Sequence, residues 1–280
     1  MTALEITGAV DAPVVVVLGG ISSSRHVTAT ATNPAPGWWN EFVGPGRAID
    51  TLEFRVASID YDALSTHEQA SALIDALRDA KITRLHAVVG ASYGGMVALA
   101  LAELYPSLIE RLIVIGAAHE STPSATAQRS LQRKVVELGL RSGLELEALG
   151  IARGMAVTTY STPGDLESRF DFDDPIERER EIERFLTLTG AQFTSRCAPE
   201  RFLDLSRSLD HHYVNASSIT CPTTIIGVLE DFLVPPSQLT ELASRIAGPC
   251  ELSLLSSIYG HDAFLEDQSL IAPIVKRALA

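Results

Sequence analysis

Cysteine is scarce. Cys197, Cys221 and Cys250 are the three in 280 residues, they lie far apart, and no two stand as Cys-x-x-Cys. This excludes a disulfide framework and a cysteine zinc site, so buried free thiols and no metal are expected. Positive charge is scarce too. Lys and Arg total 22 against 35 Asp and Glu, a net charge of −13 with a pI near 4.9. Nucleic acid and anionic membrane surfaces both require clustered Lys and Arg, so neither is expected as a partner. An anionic ligand would need a local basic patch. The start, Met-Thr-Ala-Leu-Glu-Ile-Thr, lacks the basic region and apolar run of a signal peptide, and no uninterrupted apolar stretch would span a bilayer. The expected location is the cytoplasm. Internal repeats and low-complexity segments are also missing, and the dense charge run at 177–183 reads as a solvated helix face.

What remains is enough apolar material, 46% of residues, for a large core. Its distribution alternates. Pro13 to Leu18 carries four successive valines before Gly19-Gly20 and reads as a strand buried on both faces, as does Phe54 to Ile59. Thr66 to Lys81 has apolar residues at helical spacing, Leu85 to Val89 reads as a strand, Tyr93 to Tyr105 as a helix closed by Pro106, and Leu112 to Ile115 as a strand. This is the rhythm of a parallel sheet. It breaks between Ser121 and Asp210, where amphipathic stretches contain no convincing strand. It resumes with a strand at Thr223 to Val228, an amphipathic segment near 237–246, a strand at Glu251 to Leu255 and a closing helix from Asp267 to Leu279. The pattern predicts an α/β core, residues 1–120 and 213–280, split by a helical cap at 121–212.

Gly90-Ala91-Ser92-Tyr93-Gly94 fits Gly-x-Ser-x-Gly and lies between an expected strand and an expected helix, where small residues let the chain turn sharply around a serine. Ser92 is the candidate nucleophile. A serine hydroxyl needs a base, and the base needs an orienting acid, in the chain order serine, acid, histidine. Asp231 follows one strand and His261 the next, both in loops beyond strand ends. Glu230 stands beside Asp231 as an alternative acid. His86, His119, His211 and His212 do not follow the acid. The second requirement is a pair of N–H donors for a tetrahedral oxyanion, expected from Tyr93 and from Ile21 after Gly19-Gly20. Trp38-Trp39 either lines the pocket or packs the core.

The segment Gly37-Trp38-Trp39-Asn40-Glu41-Phe42-Val43-Gly44-Pro45-Gly46-Arg47-Ala48-Ile49-Asp50-Thr51 resembles an early signature of the homoserine O-acyltransferases, the MetX family of the α/β-hydrolase superfamily. Tyr259-Gly260-His261-Asp262-Ala263-Phe264-Leu265 resembles its histidine motif. Gly95-Met96, Ala152-Arg153, Thr159-Tyr160 and Arg169-Phe170 extend the likeness over most of the chain. It implies an α/β-hydrolase fold, with a mostly parallel, doubly wound sheet and an inserted helical cap. It also implies transfer of an acyl group from acyl-CoA, a co-substrate and not a resident cofactor, to L-homoserine in methionine biosynthesis, by a homodimer. A serine O-acyltransferase or a carboxylesterase would use the same triad, and a non-catalytic binding protein would keep the fold alone.

By the same resemblance Arg153 and Tyr160 hold the amino-acid substrate and Asp262 meets its ammonium group, a charge arrangement that suits a zwitterion. Leu233 stands where succinyl-using members carry arginine, so acetyl is the expected acyl group. Arg25 and Arg47 are weaker candidates for the phosphates of coenzyme A. Two departures are visible: Asp60-Tyr61-Asp62 leads almost at once into a helix where the family has a long loop, and Ile21-Ser22-Ser23-Ser24-Arg25-His26 differs from the usual oxyanion loop.

Overall fold

A computed structural model describes residues 3–62 and 64–280. Seven strands form one sheet in the order β1-β3-β2-β4-β5-β6-β7. They are β1 (Leu4–Thr7), β2 (Val14–Leu18), β3 (Arg55–Ile59), β4 (Ala87–Ala91), β5 (Leu112–Ile115), β6 (Thr223–Val228) and β7 (Cys250–Leu255). All neighbouring pairs run parallel except β1 with β3. β1 was not expected from the sequence. Its four half-buried residues lie on an edge, where a short strand needs no continuous apolar run. The sheet is covered on both faces, so alternate residues of one strand enter different cores. Val14, Val16 and Leu18 pack in a core with Leu73, Leu77 and Leu99. Val15 and Val17 face Trp39, Phe42, Ile271 and Val275.

Helices α1 (Thr66–Asp79) and α2 (Tyr93–Leu104) connect β3, β4 and β5, and α8 (Pro236–Arg245) connects β6 to β7. α1 begins at a reciprocal cap in which Ser65 and Glu68 satisfy each other's backbone donors. Between β5 and β6 come five helices, α3 (Pro123–Ser142), α4 (Glu145–Tyr160), α5 (Pro163–Arg169), α6 (Pro175–Thr194) and α7 (Pro199–Asp210). They carry a small core of their own around Val136, Leu149, Phe193 and Phe202. The chain ends with α9 (Ala263–Glu266) and α10 (Gln268–Leu279). No described helix is long and apolar enough to cross a membrane. Cys197 and Cys221 are buried as expected, but Cys250 opens the edge strand β7 and is exposed.

The strand order reverses between β2 and β4, since the chain leaves β2 toward β3 on one side and returns to β4 on the other. Loops leaving β2 and β4 therefore diverge and open a crevice at the strand ends. The segments 19–24 and 92–94 border it. Trp39, fully buried, donates its indole N–H to the Phe264 carbonyl at 2.9 Å and so ties the long segment after β2 to α9. Of the two tryptophans, Trp39 packs the core and Trp38 lines the crevice.

His212 joins the end of the helical insertion to the sheet. Its ring nitrogens lie 2.8 Å from Thr66 Oγ1 and 3.1 Å from the Ala118 carbonyl. Burial pushes its pKa down from 6.5 to about 3, against a raising effect of the Ala118 hydrogen bond. The unfolded chain therefore binds a proton here that the folded chain refuses between pH 6.5 and about 3, and stability falls as pH falls through that window. Urea midpoints measured between pH 7.5 and 4.5 should decline toward acid, and the slope of that decline should be shallower in His212→Gln. Equal slopes would show that other groups carry the acid sensitivity.

Candidate active site

Ser92 occupies φ 53° and ψ −120°, a strained backbone conformation, at the junction of β4 and α2. The two glycines around it are there because of contact distances. A Cβ on Gly90 would lie 2.3 Å from the Gly94 carbonyl oxygen, and one on Gly94 would lie 2.3 Å from that of Leu18. The Gly94 N–H donates to the Gly19 carbonyl at 2.9 Å, so the turn is fastened to the end of β2. Neither the Tyr93 nor the Ile21 N–H donates to an acceptor among the described residues. The expected oxyanion pair is thus free, and a Cβ on the intervening Gly20 would be 4.0 Å from Ser92 Cβ.

Ser92 Oγ lies 2.8 Å from His261 Nε2, and His261 Nδ1 lies 2.7 Å from Asp231 Oδ2. With Asp231 ionised, Nδ1 carries the proton and donates it, which leaves Nε2 to accept from the serine. The other Asp231 oxygen accepts the backbone N–H groups of Leu233 and Val234 at 2.8 and 2.9 Å. His261 and Asp231 are buried. Burial alone would lower the His261 pKa, but the Asp231 charge and hydrogen bond, helped by Asp262, raise it above 6.5. Glu230 does something else. Its carboxylate accepts Ser256 Oγ at 2.6 Å and the Ser257 N–H at 2.9 Å, which fastens the loop leading to His261. Burial would raise the Glu230 pKa, and these bonds outweigh it to give a net lowering. The remaining histidines are engaged elsewhere or enclosed: His86 reaches the Leu279 carbonyl and sits just before β4, and His119 is fully buried before α3.

The crevice around Ser92 is lined by Ile21, Trp38, Arg153, Tyr160, Asp262 and Phe264, among others. The Tyr160 ring stands 5.8 Å from the His261 ring. Arg153 places its guanidinium over the rings of Tyr160, at 5.6 Å, and Phe193, at 5.2 Å, and its buried Nε–H has no partner among the described residues. Burial raises the Asp262 pKa, with His261 and Arg153 pulling it back. The Asp262 carboxylate accepts no hydrogen bond among the described residues. A guanidinium and a carboxylate, each with unused bonding capacity, therefore face one space beside Ser92. Leu233 lines an adjoining cavity that also reaches Ser92. No group of ligand-type side chains that could hold a metal ion exists among the described residues.

A family profile described as "alpha/beta hydrolase fold" matches residues 13–268. The chain is 37% identical to a homoserine O-succinyltransferase of Xanthomonas campestris pv. campestris, over 98% of this chain and 78% of that one. The chain belongs to the homoserine O-acyltransferase family of the α/β hydrolases. It is also 31% identical to an L-serine/homoserine O-acetyltransferase of Streptomyces lavendulae, over 95% of this chain and 87% of that one. Among solved structures, the homoserine O-acetyltransferase of Bacillus anthracis superposes with a TM-score of 0.89 at 18% identity, covering 99% of this chain and 91% of that one. Esterase E22 superposes equally well, with a TM-score of 0.89 at 20% identity over 100% and 94% of the two chains. The architecture therefore does not separate acyl transfer from hydrolysis.

Within this homoserine O-acyltransferase chain two expectations fail. Arg25 is paired with Asp60 at 3.1 Å and lies 4.0 Å from Glu5, and Arg47 is paired with Glu41 at 2.9 Å. Their charge is already met by carboxylates, and neither lines the crevice. The guanidinium at its edge is Arg196, between α6 and α7, which sequence reading passed over because it lies outside any motif.

Thr162 was also missed. Thr-Pro reads as an ordinary helix start, and Thr162 does cap α5 by accepting the Asp165 N–H at 3.1 Å. The same oxygen donates to the Ile258 carbonyl, three residues before His261. A Cβ on Gly260 would come within 2.8 Å of Thr162 Cγ2, so the corner after α4 is seated directly on the histidine loop. Thr162→Val keeps the shape and removes both the donor to Ile258 and the acceptor that caps α5. It should reduce turnover at least tenfold and alter the pH profile set by His261, and Thr162→Ser should restore both. Loss of thermal stability with an unchanged pH profile would assign Thr162 to the fold alone.

Proposed function

We propose that this chain transfers an acyl group from acyl-CoA to L-homoserine through an acyl-enzyme on Ser92, a step in methionine biosynthesis. The observation carrying the proposal is a serine, histidine and aspartate hydrogen-bond chain beside a guanidinium and a carboxylate that make no ion pair with each other or with another residue among the described residues, in one crevice. Water needs neither charge. An amino-acid zwitterion needs both, the Arg153 guanidinium with Tyr160 for its carboxylate and Asp262 for its ammonium.

In the first half-reaction Ser92 Oγ bonds to the thioester carbonyl carbon while its proton passes to His261 Nε2. The oxyanion takes the Ile21 and Tyr93 N–H groups. The carbon–sulfur bond then breaks, and the leaving thiolate takes the proton from His261 as free coenzyme A. In the second, the homoserine hydroxyl gives its proton to Nε2 and bonds to the acyl carbon. The bond to Ser92 Oγ breaks, the proton returns to Oγ, and the O-acyl ester leaves. Asp231 holds the imidazole in the required tautomer and stabilises its charged form throughout. Leu233 offers only apolar contact to the acyl chain, which supports acetyl as the preferred group over succinyl, whose second carboxylate would need a cationic partner.

Homologous enzymes named for serine keep the acceptor question concrete: a serine O-succinyltransferase of Stenotrophomonas maltophilia is 30% identical over 94% of this chain and 86% of that one. Brief mixing with acetyl- or succinyl-CoA, followed by mass spectrometry, should place one acyl group on Ser92, and Ser92→Ala should remove it together with thiol release, lowering turnover by several orders of magnitude. A label on a cysteine, or full activity in Ser92→Ala, would overturn the mechanism. Running the same assay with homoserine, serine or no acceptor identifies the second substrate.

A further inference from the structure

The donor of the proposed reaction carries several negative charges, and the protein carries a net −13. Approach and retention of such a donor require cations beside the crevice that no carboxylate already neutralises. Few guanidiniums near Ser92 qualify. Arg129 lines the inner cavity but is bound to Asp210 at 2.6 Å. Arg153 is buried against Tyr160 and Phe193 and is assigned above to the acceptor. Arg25 and Arg47 are ion-paired. Arg196 remains. It is exposed, its guanidinium makes no ion pair or hydrogen bond among the described residues, and it borders two clefts at once.

One cleft contains Ser92 and His261, and the other continues outward past Asp60 and Tyr61 to Arg201. The two share Ile21, Ser22 and Ser23, the segment that supplies one of the free N–H groups next to Ser92. Arg201 donates to the Tyr61 carbonyl at 2.8 Å. Asp60, the acid on the opposite wall, is occupied by Arg25 through both its backbone N–H and its guanidinium. The outer cleft, whose acids are Asp60 and Asp62, thus carries the two guanidiniums of Arg196 and Arg201 beside the route to the reactive serine.

We infer that Arg196, seconded by Arg201, forms a subsite for an anionic group of the acyl donor, along a cleft that runs from Ser92 over the segment 21–23. The inference rests on acyl-CoA being the donor. The recognised chemistry is a phosphate or carboxylate oxygen, and the donor offers two sources: the phosphates of its coenzyme and the terminal carboxylate of a dicarboxylic acyl chain. Arginine suits either through paired N–H groups.

The test compares kcat/KM of wild type, Arg196→Glu and Arg196→Lys for acetyl-CoA, succinyl-CoA, S-acetylpantetheine and S-succinylpantetheine, each divided by the value for the neutral donor p-nitrophenyl acetate. Charge reversal should lower the ratio at least tenfold for anionic donors, through KM, and Arg196→Lys should lose less. A loss confined to the two coenzyme A thioesters identifies the phosphates, and a loss confined to the two succinyl donors identifies the carboxylate. Ratios unchanged for every donor in Arg196→Glu would overturn the subsite. A wild-type protein that turns over p-nitrophenyl acetate but no acyl-CoA would instead overturn the proposed function on which the subsite rests.

Discussion

A serine side chain that must stand clear of the sheet, within reach of a histidine from another strand, requires its backbone to turn through φ 53°. Non-glycine residues avoid that region, and each residue held there costs of order 1–3 kcal/mol. The surrounding structure must therefore over-determine it. Here β4 is buried along its whole length, Gly90 lets the start of α2 fold back against the strand, Gly94 lets it approach the end of β2, and the Gly94 N–H locks onto Gly19. The same contact places Ile21 beside Ser92. The strained turn and the free donors that accompany it are consequences of one close approach between two neighbouring strands.

His261 depends on a different set of supports. Its loop follows the edge strand β7, where the sheet supplies little restraint, and three ties replace it. Asp231 holds the ring, Glu230 holds Ser256 and Ser257, and Thr162 reaches across from the helical insertion to the Ile258 carbonyl. The insertion also carries Arg153 and Tyr160. The side chains proposed to hold the acceptor and the contact that places the imidazole therefore share one short piece of chain, residues 153–162. An acceptor held there is held against the same corner that seats the histidine loop.

Much of this was legible in the residues. Buried strands announce themselves as β-branched runs, and Gly-x-Ser-x-Gly acquires meaning from the strand before it and the helix after it. The order Ser92, Asp231, His261 needed only the positions of two later strands. What the sequence hid are contacts between distant segments whose residue types are unremarkable locally. Thr162 looks like a helix cap and Glu230 like a rival acid because their partners lie 96 and 26 residues away, and Arg196 looks like a solvated side chain because the clefts it borders are built from distant segments. Arg25 misled for the same reason, and Arg47 because its pairing with Glu41 six residues earlier depends on the fold of that loop. Nothing local announces that Asp60 already neutralises Arg25. The edge strand β1, half-buried and four residues long, lacks the continuous apolar run that marks the central strands.

Esterases share this architecture, so the decisive property is what the acyl-enzyme does next. The direct measurement is the decay rate of Ser92-bound acyl group in rapid-quench experiments, with and without homoserine. Slow decay in water, acceleration of at least a hundredfold by millimolar homoserine, and recovery of the acyl group as O-acylhomoserine are expected. Decay at the same rate with and without homoserine, yielding free carboxylic acid, would contradict the proposed transfer.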